Sequence, residues 1–131
     1  MENLVVVSKL KKFVKDTYGL SVATNFFEPL NKEIAQSINV AIEHAQKNKR
    51  KTVMGRDFNF YVHEPNVDTN LVVASKLKTL IKEKADMSCS KQCPEQLTVR
   101  VRKIMEISSQ KTIAAKRKTI MDKDFQAPIE I

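Results

Sequence analysis

The chain is short of almost everything that builds turns: its 131 residues include two glycines and four prolines, with no tryptophan and only 6% aromatic side chains. A sandwich or barrel of short strands needs frequent turn residues, so this scarcity argues for helices joined by short loops. Cysteine is equally sparse. Cys89 and Cys93 lie four apart, and the two histidines, His44 and His63, are too distant in sequence to complete a zinc spacing. The thiols are expected to be reduced, one in a loop and one at a helix start, with a local redox switch as the alternative reading. The longest apolar run near the N-terminus, Leu4 to Val7, is followed at once by lysine-rich sequence, so no secretory signal is read there. No run is long enough to span a bilayer. Walker loops, dinucleotide glycine patterns, nucleophile elbows and histidine-rich metal sets are all missing. No catalytic residue, cofactor or metal is therefore assigned, and the chain is not read as an enzyme acting on a small-molecule substrate. A cytoplasmic location is the simplest expectation.

What is present is apolar content of 42%, enough for a core in one compact unit, and a net charge of +8. The excess positive charge favours a polyanionic partner, with nucleic acid ahead of an anionic membrane.

The chain also repeats itself. Leu4 to Phe58 aligns with Leu71 to Phe125 at a constant offset of 67 without a gap, and 18 of the 55 aligned positions are identical. The identities cluster at the two ends. Leu4-Val5-Val6 and Ser8-Lys9-Leu10-Lys11 match Leu71-Val72-Val73 and Ser75-Lys76-Leu77-Lys78, while Lys49-Arg50-Lys51-Thr52 matches Lys116-Arg117-Lys118-Thr119. The organisation expected is a first repeat over 1–58, a linker over 59–70, a second repeat over 71–125 and a tail over 126–131, with both repeats in one compact unit. Helical repeats rarely bury an apolar face alone, so two copies suggest a built-in pair.

Within each repeat the pattern predicts a short helix, a long helix and a short helix. The first helix runs from Val7 to Asp16 with Leu10, Phe13 and Val14 on one side, and Gly19 ends it. The long helix reaches about Gln46 and carries Phe27, Leu30, Ile34, Ile38, Ala41 and Ala45 at spacings of three and four, with Pro29 confined to its first turn. A final helix is expected to start near Thr52, its hydroxyl serving as N-cap. In the second repeat the corresponding helices are placed at Ala74 to Lys84, from near Ser90 with Leu97, Val101, Ile104 and Met105 inside, and from near Thr119 until Pro128.

A short-long-short helical unit ending in Arg-Lys-Thr-aliphatic, with Asp seven residues after the Arg, resembles the histone fold. Both repeats carry the signature: Arg50-Lys51-Thr52-Val53 with Asp57, and Arg117-Lys118-Thr119-Ile120 with Asp124. The Leu71 to Lys82 segment is similar to the opening of short bacterial histones. The fold class implied is all-α, two tandem histone folds paired head to tail as an intrachain handshake pseudo-dimer: a histone doublet.

The resemblance further implies a sequence-nonspecific double-stranded DNA-binding protein of the nucleoid that coats, bends or compacts DNA through its phosphates, as chromatin proteins do. Head-to-tail pairing would set the second loop of each repeat beside the first loop of the other. That makes two basic edges, one with Lys116, Lys118 and Thr119, the other with Lys49, Lys51 and Thr52. Between them the starts of the two first helices would offer backbone N–H groups with Ser8, Lys9, Lys11, Lys12, Ser75, Lys76 and Lys78. Arg50 with Asp57 and Arg117 with Asp124 are implied as structural ion pairs. Archaeal histones that wrap DNA in longer arrays carry a His three residues before the loop Arg, where this chain has Lys47 and Ala114. A monomeric pseudo-dimer acting on a short DNA segment is therefore expected, with higher assembly on DNA as the alternative. The competing expectation is a histone-fold protein–protein interaction module in a transcription or regulatory assembly.

Overall fold

The computed structural model describes residues 3–128, so the first two residues of the first repeat and the last three of the tail lie outside the described residues. It is mostly helical. Helix α1 spans Val7–Tyr18, the two-residue strand β1 Ser21–Val22, helix α2 Phe27–Lys47 and strand β2 Thr52–Val53; next in the chain are α3 Ala74–Ala85, β3 Ser88–Cys89, α4 Gln92–Ala114 and β4 Thr119–Ile120. The offset of 67 carries the bounds of α1 onto α3, of β1 onto β3 and of β2 onto β4 residue for residue.

Local chemistry explains the element boundaries. Leu10 and Val14 face inward from α1 while Lys9, Lys11, Lys12 and Lys15 stay exposed, and the helix stops at Gly19, whose φ of 70° lets its N–H return to the Lys15 carbonyl. Asp86, at φ 54°, ends α3 in the same left-handed conformation. Pro29 and Pro94 both fall in the first turn of their helices, where a missing N–H costs nothing.

The two long helices hold the core. Phe27, Leu30, Ile34, Ile38, Ala41 and Ala45 of α2 and Leu97, Val101, Ile104 and Met105 of α4 are all buried in one hydrophobic cluster to which both repeats contribute. Toward its end α4 turns polar without leaving the interior. Ser108, Ser109 and Thr112 are buried, and their hydroxyls bond the Glu106 and Ser108 carbonyls, the Gln126 N–H and the Asp124 carboxylate.

The third helix expected of each repeat does not form. Thr52 and Thr119 lie in β2 and β4 rather than capping helices, and each strand leads into a single 3-10 turn, Gly55–Asp57 and Asp122–Asp124. The turn is started instead by Met54 and Met121, whose backbone N–H groups bond the carboxylates of Asp57 and Asp124 at 2.7 and 2.9 Å. With both carboxylates so engaged, and Phe58 and Phe125 in extended conformation directly after, neither segment continues as a helix.

The linker is fastened to α4 rather than looping free. The Gln96 side chain closes a reciprocal pair with the Val62 backbone at 2.9 and 2.8 Å, and Arg102 reaches the Asn66 carbonyl and the Asp68 carboxylate at 2.9 and 3.2 Å.

Hydrogen bonds between the repeats come in matched sets. Val5 faces Val72 in an antiparallel bridge, with Val6 N–H to Leu71 O and Val73 N–H to Leu4 O both at 2.8 Å. Leu4 N–H bonds Asn31 Oδ1, and Leu71 N–H bonds Thr98 Oγ1 at the corresponding place. Residues that meet their own counterparts define a local two-fold axis. Glu33 and Arg100, also 67 apart, meet on it at 3.0 Å.

Candidate nucleic-acid interface

Two parallel strand pairs place the basic loops. β1 lies beside β4, with Ser21 opposite Thr119 and Val22 opposite Ile120, and β2 lies beside β3, with Thr52 opposite Ser88 and Val53 opposite Cys89. Each pair is tied by the same bonds: Ser21 N–H to Lys118 O and Ala23 N–H to Ile120 O at 3.0 and 2.9 Å, matched by Ser88 N–H to Lys51 O and Ser90 N–H to Val53 O. The first loop of one repeat thus stands against the second loop of the other at both ends of the arrangement.

The approach to each second loop is conformationally costly. Lys49 and Lys116 have φ of 57° and 59°, in the left-handed region that L side chains rarely occupy. Both complete the same helix stop. Lys49 N–H bonds Gln46 O and Arg50 N–H bonds Ala45 O, while Lys116 and Arg117 repeat this with Ile113 and Thr112. Glycine is the residue that normally fills this position at a helix end. A lysine there, twice, costs roughly 1–2 kcal/mol per site and sets an exposed ammonium beside the loop. Lys51 and Lys118 are exposed next to it, and Thr52 and Thr119 are half-buried.

Arg50 and Arg117 brace these loops from behind. Each guanidinium grips its carboxylate with two nitrogens, Nη2 and Nη1, at 2.5 and 2.8 Å for Asp57 and 2.6 and 2.7 Å for Asp124, and Nη1 also reaches the carbonyl of Thr52 or Thr119. Burial alone would raise the Asp57 carboxyl. Arg50, the Met54 N–H and the charges of Arg50 and Arg56 outweigh it, so its pKa falls below the ordinary value. For Asp124 the Arg117 hydrogen bond is the largest influence, burial opposes it, and the Met121 N–H and Thr112 hydroxyl assist; its pKa is well below the usual range. Both carboxylates are charged at neutral pH, so the arginines are occupied structurally.

The third group of residues sits at the local axis. The bridge through Val5 and Val72 brings the starts of α1 and α3 together, neither helix has a side-chain cap, and neither has an acidic residue in its first turn. Uncapped first-turn N–H groups with the positive end of the helix dipole are suited to anions. Ser8, Lys9, Lys11, Ser75 and Lys78 lie in the first two turns of these helices, and all five are exposed. Two of the lysines named from the sequence are otherwise engaged: Lys12 pairs with Asp16 at 2.8 Å, and half-buried Lys76 bonds the Asn3 carbonyl at 3.0 Å, across the repeats. Lys32 and Lys103, outside the groups above, pair with Glu28 and Glu106 on their own helices.

Two features escaped the sequence reading. The strained lysine conformations have no signature of their own in the sequence. The Glu33–Arg100 pair did have one, since opposite charges stand at positions related by the repeat offset.

No family model matches the chain, and no curated protein does. Among solved structures, a crystal structure of a protein from Thermus thermophilus is similar, with a TM-score of 0.63 at 14% identity over 92% of this chain and 90% of that one. The likeness spans both repeats and shows a shared overall fold.

Proposed function

We propose that this chain is a histone doublet, two histone folds in one polypeptide, that binds double-stranded DNA without base specificity and coats, bends or compacts it in the cytoplasmic nucleoid. The observation carrying the reading is the basic loop pair built twice, at each end of a two-fold arrangement, with a left-handed lysine in both copies. A duplex presents phosphates at regular spacing. Lys49, Lys51 and Thr52 at one end, and Lys116, Lys118 and Thr119 at the other, are the groups that meet them, with Ser8, Lys9, Lys11, Ser75 and Lys78 at the centre. Arg50, Asp57, Arg117 and Asp124 hold the loops in shape. Pairing within one chain lets a single molecule present both ends.

The reading as a protein-interaction module rests on the exposed Tyr61 and Val62 of the linker, 40% and 41% accessible. Charge reversal separates the two. Lys51→Glu with Lys118→Glu lowers duplex affinity roughly tenfold or more if these loops meet phosphate, with the helical signal unchanged. Unaltered affinity in the folded variant would reject the DNA reading.

A further inference from the structure

The two loop pairs are alike in backbone, and among their side-chain differences one introduces thiols. In the first repeat the positions after the turn are Val22 and Phe26, both buried; their counterparts in the second repeat are Cys89 and Cys93. Since apolar side chains satisfy the same packing at one end, the fold does not require sulfur at the other. Cys89 lies in β3, half-buried, on the wall of an open surface cavity of about 660 Å³ shared with Lys78, Lys82, Met87 and Ser88. Cys93 lies in the first turn of α4, fully buried, its thiol donating to the carbonyl of Val53 at 3.4 Å, and Val53 is the residue that Cys89 faces across the β2–β3 pair. Neither sulfur is in a disulfide.

The surroundings divide the labour between the thiols. The neighbouring Cys93 thiol is the main influence bringing the Cys89 thiol down to about 7, with burial opposing and the Lys78 ammonium assisting. The same coupling, together with burial, pushes Cys93 up. A reachable thiol of lowered pKa beside a lysine, with a second thiol held on the carbonyl of the residue it faces, is the arrangement of an oxidisable pair.

We infer that Cys89 and Cys93 form a dithiol modification site, in which a hydroperoxide oxidises Cys89 and Cys93 closes an intrachain disulfide onto it. The Cys89 thiolate attacks one peroxide oxygen, the O–O bond breaks, and a sulfenic acid forms with release of hydroxide. Cys93 then attacks the Cys89 sulfur as its proton leaves, and the S–O bond breaks to give the disulfide and water. Two thiols and one hydrogen peroxide yield one disulfide and two waters. Cys93 surrenders its bond to Val53 in the process. The inference stands whether or not this end contacts DNA.

The test treats the folded, fully reduced protein with hydrogen peroxide, removes the peroxide, unfolds the protein in urea with iodoacetamide to block every remaining thiol, and reads intact mass and non-reduced peptides. The expected result is loss of two hydrogens, a Cys89–Cys93 linked peptide and no alkylation, all reversed by dithiothreitol. In Cys93→Ser, Cys89 should stop at a sulfenic acid that dimedone traps; in Cys89→Ser, Cys93 should stay reduced. A wild-type protein whose two thiols are both alkylated after peroxide, or whose Cys89 proceeds to the sulfinic acid without a disulfide, would overturn the inference.

Discussion

At the scale of single residues, Lys49 and Lys116 are positions where, on the proposed DNA reading, stability is set against binding. Their left-handed backbone favours glycine, so Lys49→Gly with Lys116→Gly is expected to stabilise the fold by about 1 kcal/mol per site in urea unfolding, while weakening affinity for duplex DNA. A variant that is both more stable and equally tight would show that the strained lysines do not serve binding. Asp57 and Asp124 give a second residue-scale prediction. Both carboxyls titrate below the ordinary value, so the stability they confer is present above the unfolded-state pKa of about 3.9 and is lost as pH falls through the folded values. Urea midpoints should drop as pH goes below about 4, and Asp57→Asn with Asp124→Asn should be less stable at neutral pH and flatter in that acid range. Parallel acid losses in the variant and the parent would contradict the assignment. The Arg-to-Asp spacing of seven was legible in the sequence because it recurs in both repeats. The φ values were not, because lysine has no preference for that region that spacing could reveal.

At the scale of elements, the helices were legible and the ends of the repeats were not. The three-and-four spacing of Phe27 through Ala45 located α2, and the Leu77 and Ile81 pair located α3, because burial of one face imposes that period. The third helices fail for a local reason. Thr followed by Asp resembles a capped helix start, yet each Asp carboxylate bonds its own turn and its Arg, and Phe58 and Phe125 then run extended. Ile38→Ala in α2 and Ile104→Ala in α4, both fully buried, should each cost about 3 kcal/mol by urea unfolding. Glu33 and Arg100 join these helices on the local axis, where identical chains could place only like residues together. Glu33→Arg sets two guanidinium groups against each other and should destabilise; adding Arg100→Glu restores the ion pair and should recover part of the loss. Recovery will be incomplete, since Arg100 also stacks on Phe60 at 4.8 Å. A double variant no better than the single would show that the pair does not couple the helices.

At the scale of the whole molecule, the duplication is the organising fact. It lets one chain bury both long helices in a common core, and it repeats the basic loop pair at both ends with the uncapped starts of α1 and α3 between them. The central claim is that these groups bind DNA through its phosphates, and a salt titration of binding to a short random-sequence duplex, with stoichiometry read alongside, tests it most directly. The account predicts that log affinity falls steeply with log salt, by about 0.9 for each phosphate neutralised. Flat or absent binding by the folded protein would contradict it.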